Sequence, residues 1–130
     1  MKIVFRVDSS SMIGGGHLMR CLSLAKEFKN RRYEVFFVCR ELNGNLNSNI
    51  DFPVLILPKN KYFNSDNFYL NCLGASQEQD AHETINVIPQ ETDLIIVDNY
   101  AIDKLWHTKL RRYVNKIMVI DDLADRDFDC

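Results

Sequence analysis

Residues that staple, kink or loosen a chain are scarce here: four cysteines, three prolines and five glycines in 130 residues. The cysteines (Cys21, Cys39, Cys72 and Cys130) stand far apart and form no C-x-x-C pair. That argues against a disulfide framework and against a zinc ribbon or finger. Cys21 and Cys39 lie in apolar segments and read as small buried hydrophobes, which fits a reducing cytoplasm. No apolar run approaches the length of a bilayer span. Met1 to Asp8 carries its charges inside an apolar stretch and offers no small-residue cleavage site, unlike a signal peptide. Charge of one sign is also missing. A net charge of −2 leaves no footprint for nucleic acid or for an anionic membrane. H-E-x-x-H is absent, and with it the usual helical zinc motif. Ser9, Ser10 and Ser11 are not set in a G-x-S-x-G elbow, so a serine nucleophile has no support. No metal and no cofactor is indicated.

What is present is an ordinary globular composition, 46% apolar and 26% charged, in a chain long enough for one domain with one core. Its apolar runs alternate between strand and helix periods. Lys2 to Asp8 reads as a first strand, apolar on both faces as parallel strands are. A helix is expected from His17 to about Asn30, because Leu18, Cys21, Leu22, Ala25 and Phe28 make one stripe. Tyr33 to Arg40 is a second strand. Glu41 to Ile50 is a loop with one helical turn, and Val54 to Leu57, between Pro53 and Pro58, is a third strand. Lys59 to Leu73 shows no clean period. Ser76 caps a helix over Gln77 to Ile88, which Pro89 stops. Asp93 to Asp98 is a fourth strand, wholly apolar inside and therefore central. A helix follows over Asp103 to Val114, then a fifth strand over Lys116 to Asp122. The alternation predicts an α/β protein with a doubly wound, mostly parallel, Rossmann-like sheet.

The most informative stretch joins the first strand to the first helix: Asp8-Ser9-Ser10-Ser11-Met12-Ile13-Gly14-Gly15-Gly16-His17-Leu18-Met19-Arg20. Gly14, Gly15 and Gly16 let the backbone approach a ligand closely, and the helix start behind them suits an anion. The spacing is neither G-x-G-x-x-G nor G-x-x-x-x-G-K-[ST]. His17 stands at the helix start, either as a cap residue or as a general base at the carboxyl end of the sheet. Arg20, three residues on, can share its face and hold a phosphate or sugar oxygen. Right-handed crossovers bring the ends of strands one, four and five to one rim, so Asp8, His17, Asp98, Tyr100, Asp121 and Asp122 should converge there. Asp8 reads either as a turn residue or as a ligand contact or orienter of His17. Tyr100 reads either as a half-buried aromatic or as a sugar-stacking group.

These residues resemble a known family. Phe5-Arg6-Val7-Asp8 followed by Ile13-Gly14-Gly15-Gly16-His17-Leu18-Met19-Arg20-Cys21-Leu22-Ser23-Leu24-Ala25 is similar to the N-terminal signature of the UDP-diacetamido-trideoxy-altropyranose hydrolases of pseudaminic acid biosynthesis, which are also described as glycosyltransferase-like spore-coat polysaccharide proteins. Gln79-Asp80-Ala81, Val97-Asp98-Asn99-Tyr100 and Ile120-Asp121-Asp122-Leu123-Ala124-Asp125-Arg126 fit the same family in the same order. The resemblance implies a glycosyltransferase-B-type fold in two domains, with residues 1–130 as the N-terminal half and a C-terminal nucleotide-binding domain, absent from this chain, as its intramolecular partner. It implies a UDP-sugar substrate and metal-independent hydrolysis at C1, with UDP released, His17 as base, and no role for nucleic acid or membrane. By the same resemblance Gly14, Gly15 and Gly16 lie beside the diphosphate, and Arg6, Asp8, Arg20, Asn99, Tyr100, Asp121 and Asp122 are substrate-side positions. Asn99 departs from the family, which carries histidine there. Two alternatives stand beside this one: a glycosyltransferase of the same architecture, and a single-domain binding module. A receiver-type module would need a lysine after the fifth strand, and Lys116 precedes it.

Overall fold

The computed structural model describes residues 1–130. Five strands form one all-parallel sheet in the order β3-β2-β1-β4-β5: β1 (Lys2–Val7), β2 (Glu34–Arg40), β3 (Val54–Leu57), β4 (Thr92–Asp98) and β5 (Val114–Val119). β1 lies at the centre, with Phe5 opposite Phe37 of β2 and Ile96 of β4. Its side chains point alternately to two cores. Ile3, Phe5 and Val7 pack with Phe37, Ile96 and the apolar stripe of helix α1 (Gly16–Asn30), namely Leu18, Cys21, Leu22 and Ala25. Val4 faces the opposite layer with Val38, Ile95 and Val97, under α3 (Gln77–Val87) and α4 (Lys104–Leu110). The two-sided burial that continuous apolar strands imply is present on β1, β2 and β4.

Helix ends follow local chemistry. Ser76 caps α3 by accepting from Gln79 N–H at 3.1 Å. Asp103 caps α4, and Asn67 caps a helix that periodicity did not reveal, α2 (Phe68–Leu73), which Gly74 closes in the left-handed region. α2 is only six residues long, too short to develop an apolar stripe, and its cap is an asparagine amid other turn-forming residues. α4 is shorter than its apolar spacing suggested, because β5 begins at Val114. β5 also ends early, at Val119, so Asp121 and Asp122 lie beyond the strand, in a segment that folds back over α4. No helix is long and apolar enough to cross a membrane.

The strand order positions the site. After β1 the chain turns toward β2 through α1; after β4 it turns the other way, toward β5 through α4. The two loops part at the carboxyl end of the sheet and leave a crevice at this topological switch point.

Candidate active site

The β1–α1 loop is closed on itself by Gly14 N–H donating to Ser10 O at 2.8 Å, with Gly14 at φ +72°. That backbone state is where glycine is at home. The asparagine-rich loop after β2 braces it: Ser11 N–H donates to Asn43 O at 2.9 Å, and Leu46 N–H donates to Ser9 Oγ at 2.8 Å. A Cβ on Gly15 would stand 2.8 Å from Leu46 Cδ1, so the middle glycine lets these two loops touch. α1 starts at Gly16 without a side-chain cap. His17 is thereby held in the first helical turn, at the mouth of the crevice.

Across the crevice stands Asp98, the last residue of β4, its side chain wholly buried. His17 Nδ1 lies 2.6 Å from Asp98 Oδ1. Arg20, one turn along α1, donates from Nε to Asp98 Oδ2 at 2.5 Å and from Nη2 to Oδ1 at 2.6 Å. Burial alone would push the Asp98 carboxyl up; the bonds from Arg20 and His17 outweigh it and hold the group below the usual carboxylate range. An ionised carboxylate only accepts, so Nδ1 carries the imidazole hydrogen toward it, a tautomer assigned from the network. Arg20 Nη2, 3.1 Å from the same nitrogen, flanks the pair. The hydrogen bond of the ring runs through Nδ1 to Asp98, which leaves Nε2 for a ligand. An imidazole oriented by a buried carboxylate is the usual arrangement of a general base.

Tyr100 meets the His17 ring edge to face, with centroids 4.7 Å apart. Tyr69 from α2 packs on Tyr100 in turn, at 5.6 Å. Together with Ile13, Cys72 and Ala101 these rings line a small cavity against His17, about 20 Å³ in volume, room for one water molecule. Tyr100 donates its hydroxyl to Asp122, which raises the phenol above its ordinary value. A surface groove of about 730 Å³ lies elsewhere, between α3 and α4, with His82 and Tyr113 among its lining residues. It is open and shares no residue with the histidine site.

The rim residues named from the sequence thus fall into three groups. His17, Arg20, Tyr100 and Asp122 form one connected cluster with Asp98. Asp121 accepts from the Ala124 and Leu123 N–H groups and from Arg126, so it shapes its own turn. Arg6 and Asp8 lie underneath, fully or almost fully buried. Asp8 accepts from Arg6 Nη1 at 2.7 Å, from Arg40 N–H at 2.8 Å and from the Asn99 side chain at 3.3 Å. The carboxylate that orients His17 is therefore Asp98, and Asp8 anchors the floor. Sequence reasoning missed that floor. Arg6 binds Asp80 through Nε at 3.0 Å and Nη2 at 2.5 Å; Arg40 adds a bond at 2.8 Å and Trp106 Nε1 one at 2.9 Å. The signal was there: Arg6 and Arg40 sit in apolar strands, and Asp80 and Thr84 share a helix face with Ala81. No three histidine, cysteine or acidic side chains gather as a metal-holding group.

Sheet order and crevice define a Rossmann-like α/β domain with a histidine–aspartate pair at its switch point. The comparison with known proteins is more particular. The chain is 38% identical over 125 residues to UDP-2,4-diacetamido-2,4,6-trideoxy-beta-L-altropyranose hydrolase of Campylobacter jejuni, a match covering 94% of this chain. It covers 37% of that relative, so the chain spans little more than a third of the protein it matches. The resemblance carried by the glycine–histidine block therefore extends over nearly the whole chain. No family model matches it.

Proposed function

We propose that this chain is the histidine-bearing domain of a nucleotide-sugar hydrolase that splits a UDP-linked diacetamido-trideoxy sugar at C1. The observation that carries the reading is His17, tied through Nδ1 to buried Asp98 with Nε2 left for a ligand in the crevice. The likeness to the Campylobacter jejuni hydrolase supplies the substrate class. In this reading Nε2 takes a proton from water as the water oxygen bonds to the anomeric carbon. The C1–O bond breaks with its electron pair going to UDP, and the sugar leaves with inverted configuration. Asp98 stabilises the imidazolium that forms and holds the ring in place. No step runs through a metal. Gly14, Gly15 and Gly16 come beside the diphosphate, where the uncapped N–H groups of α1 favour negative charge. Asn99, Tyr100 and Asp122 edge the sugar, while Arg6, Asp8 and Asp121 act by holding the rim in shape.

The same reading assigns the remaining contacts with UDP to a second, nucleotide-binding domain, in a glycosyltransferase-B arrangement. It places the protein in the cytoplasm, in pseudaminic acid biosynthesis, and makes residues 1–130 alone nearly inactive. A glycosyltransferase would use the same base on a sugar hydroxyl. The deciding experiment joins this chain to the rest of the relative, in place of the 125 matching residues, and measures UDP release from the UDP-sugar. Release without an added acceptor sugar is the expected result. Release only when an acceptor is present would make the protein a transferase.

A further inference from the structure

The motif Asp121-Asp122-Leu123-Ala124-Asp125-Arg126 lies beyond β5 and contributes no atom to the base itself. Its arginine is nonetheless among the most engaged side chains of the rim, 13% exposed. Arg126 donates from Nε to Ile102 O at 3.1 Å and from Nη2 to Asp121 at 2.8 Å, with Asn99 O at 3.5 Å from the same nitrogen. Nη1 binds Asp125, and the guanidinium lies over the Phe128 ring at 5.1 Å. Asp121 is itself fixed by the Ala124 N–H at 2.8 Å. Asn99 and Ile102 are the two ends of the loop that carries Tyr100. Arg126 therefore grips that loop by both terminal carbonyls, while its neighbour Asp122 grips the Tyr100 hydroxyl.

We infer that Arg126 is a positioning residue for the site: by holding the Asn99–Ile102 loop it sets Tyr100 edge to face against His17. The planar fork of a guanidinium reaches two carbonyls and a carboxylate at once, which a lysine ammonium on one flexible stem does not. The geometric part of this inference concerns the folded chain alone. Its catalytic meaning rests on His17 being the base proposed above.

The test reads the position of Tyr100 directly, through the ring-current displacement it imposes on the His17 ring protons in NMR spectra of the 130-residue chain. Tyr100→Leu defines the position of those signals without the displacement. Arg126→Ala should move them toward the Tyr100→Leu position, and Arg126→Lys should fall between Arg126→Ala and the unaltered chain. Arg111→Ala serves as control. It removes one tie between the same terminal segment and α4, the Arg111–Asp129 pair at 3.0 Å, but does not reach the loop, and it should leave the His17 signals in place. If Arg126→Ala fails to fold, Arg126→Lys carries the test. The inference is overturned if the Arg126 variants keep the unaltered His17 signals, or if Arg111→Ala moves them equally. Turnover plays no part in this readout, so failure of the hydrolase reading would leave its result intact.

Discussion

The molecule contains two buried aspartates held by basic side chains, on the floor and on the rim of the crevice, opposite in consequence. On the floor, Asp80 accepts from Arg6, Arg40 and Trp106, and all four side chains are fully buried. On the rim, Asp98 accepts from Arg20 and His17, whose side chains are 38% and 15% exposed. Burial pushes both carboxyls up, and in both the hydrogen-bonded cations win and hold them low. A buried, charge-paired aspartate is thus no mark of a reactive site. What separates the clusters is the partner set. Every partner of Asp80 is itself fully buried, whereas Asp98 holds a partly exposed imidazole whose other nitrogen has no bond within the chain.

The floor cluster is structural on this account, and breaking it should give the largest effect on stability. Asp80→Ala takes away the carboxylate shared by two buried guanidinium groups, leaving Arg6 to Asp8 and Arg40 to Glu83, and should cost about 3–5 kcal/mol. Thermal or urea denaturation measures it. A loss within the ordinary range of a surface substitution would mean that the floor does not brace the sheet against α3 and α4.

A third buried ionisable group sharpens the contrast in a pH scan. His107 is fully buried beneath the terminal segment, where its Nδ1 accepts from Asp129 N–H at 3.2 Å. Burial pushes it down from the ordinary 6.5 to about 4. Between those values the unfolded chain holds a proton that the native chain refuses, so stability rises with pH across that window and is lost as pH falls through it. The contribution is at most about 3 kcal/mol. His107→Asn, whose Oδ1 can still accept from Asp129, should flatten the dependence of Tm on pH there. An unchanged slope would assign that acid sensitivity to the paired carboxylates instead.

How far the sequence revealed these regions follows from how each is built. The strands and α1 were legible because long apolar runs and a clear stripe must be buried somewhere, and β1 and β4 had to sit centrally to cover both faces. The rim was legible because crossover handedness brings strand ends together, so His17, Tyr100 and Asp98 could be placed near one another. The bond partners were not legible. Asp8 and Asp98 are equivalent in sequence, each closing an apolar strand, and only strand order puts Asp98 across from α1 while Asp8 turns toward Arg40. The floor escaped because the resemblance read Arg6 as a substrate-side position, and an arginine in a strand does not name its partner. That partner, Asp80, lies 74 positions away in the chain.

The central claim is that His17, oriented by Asp98, acts on water at the anomeric carbon. It is tested most directly by the rate of UDP release from the UDP-diacetamido sugar by the chain joined to the rest of the relative, with His17→Asn alongside. The account predicts that the variant still folds, at a cost of about 1–3 kcal/mol for the altered bond to Asp98, yet loses at least the ~100-fold typical of a general base. Undiminished release by a folded His17→Asn protein would contradict it.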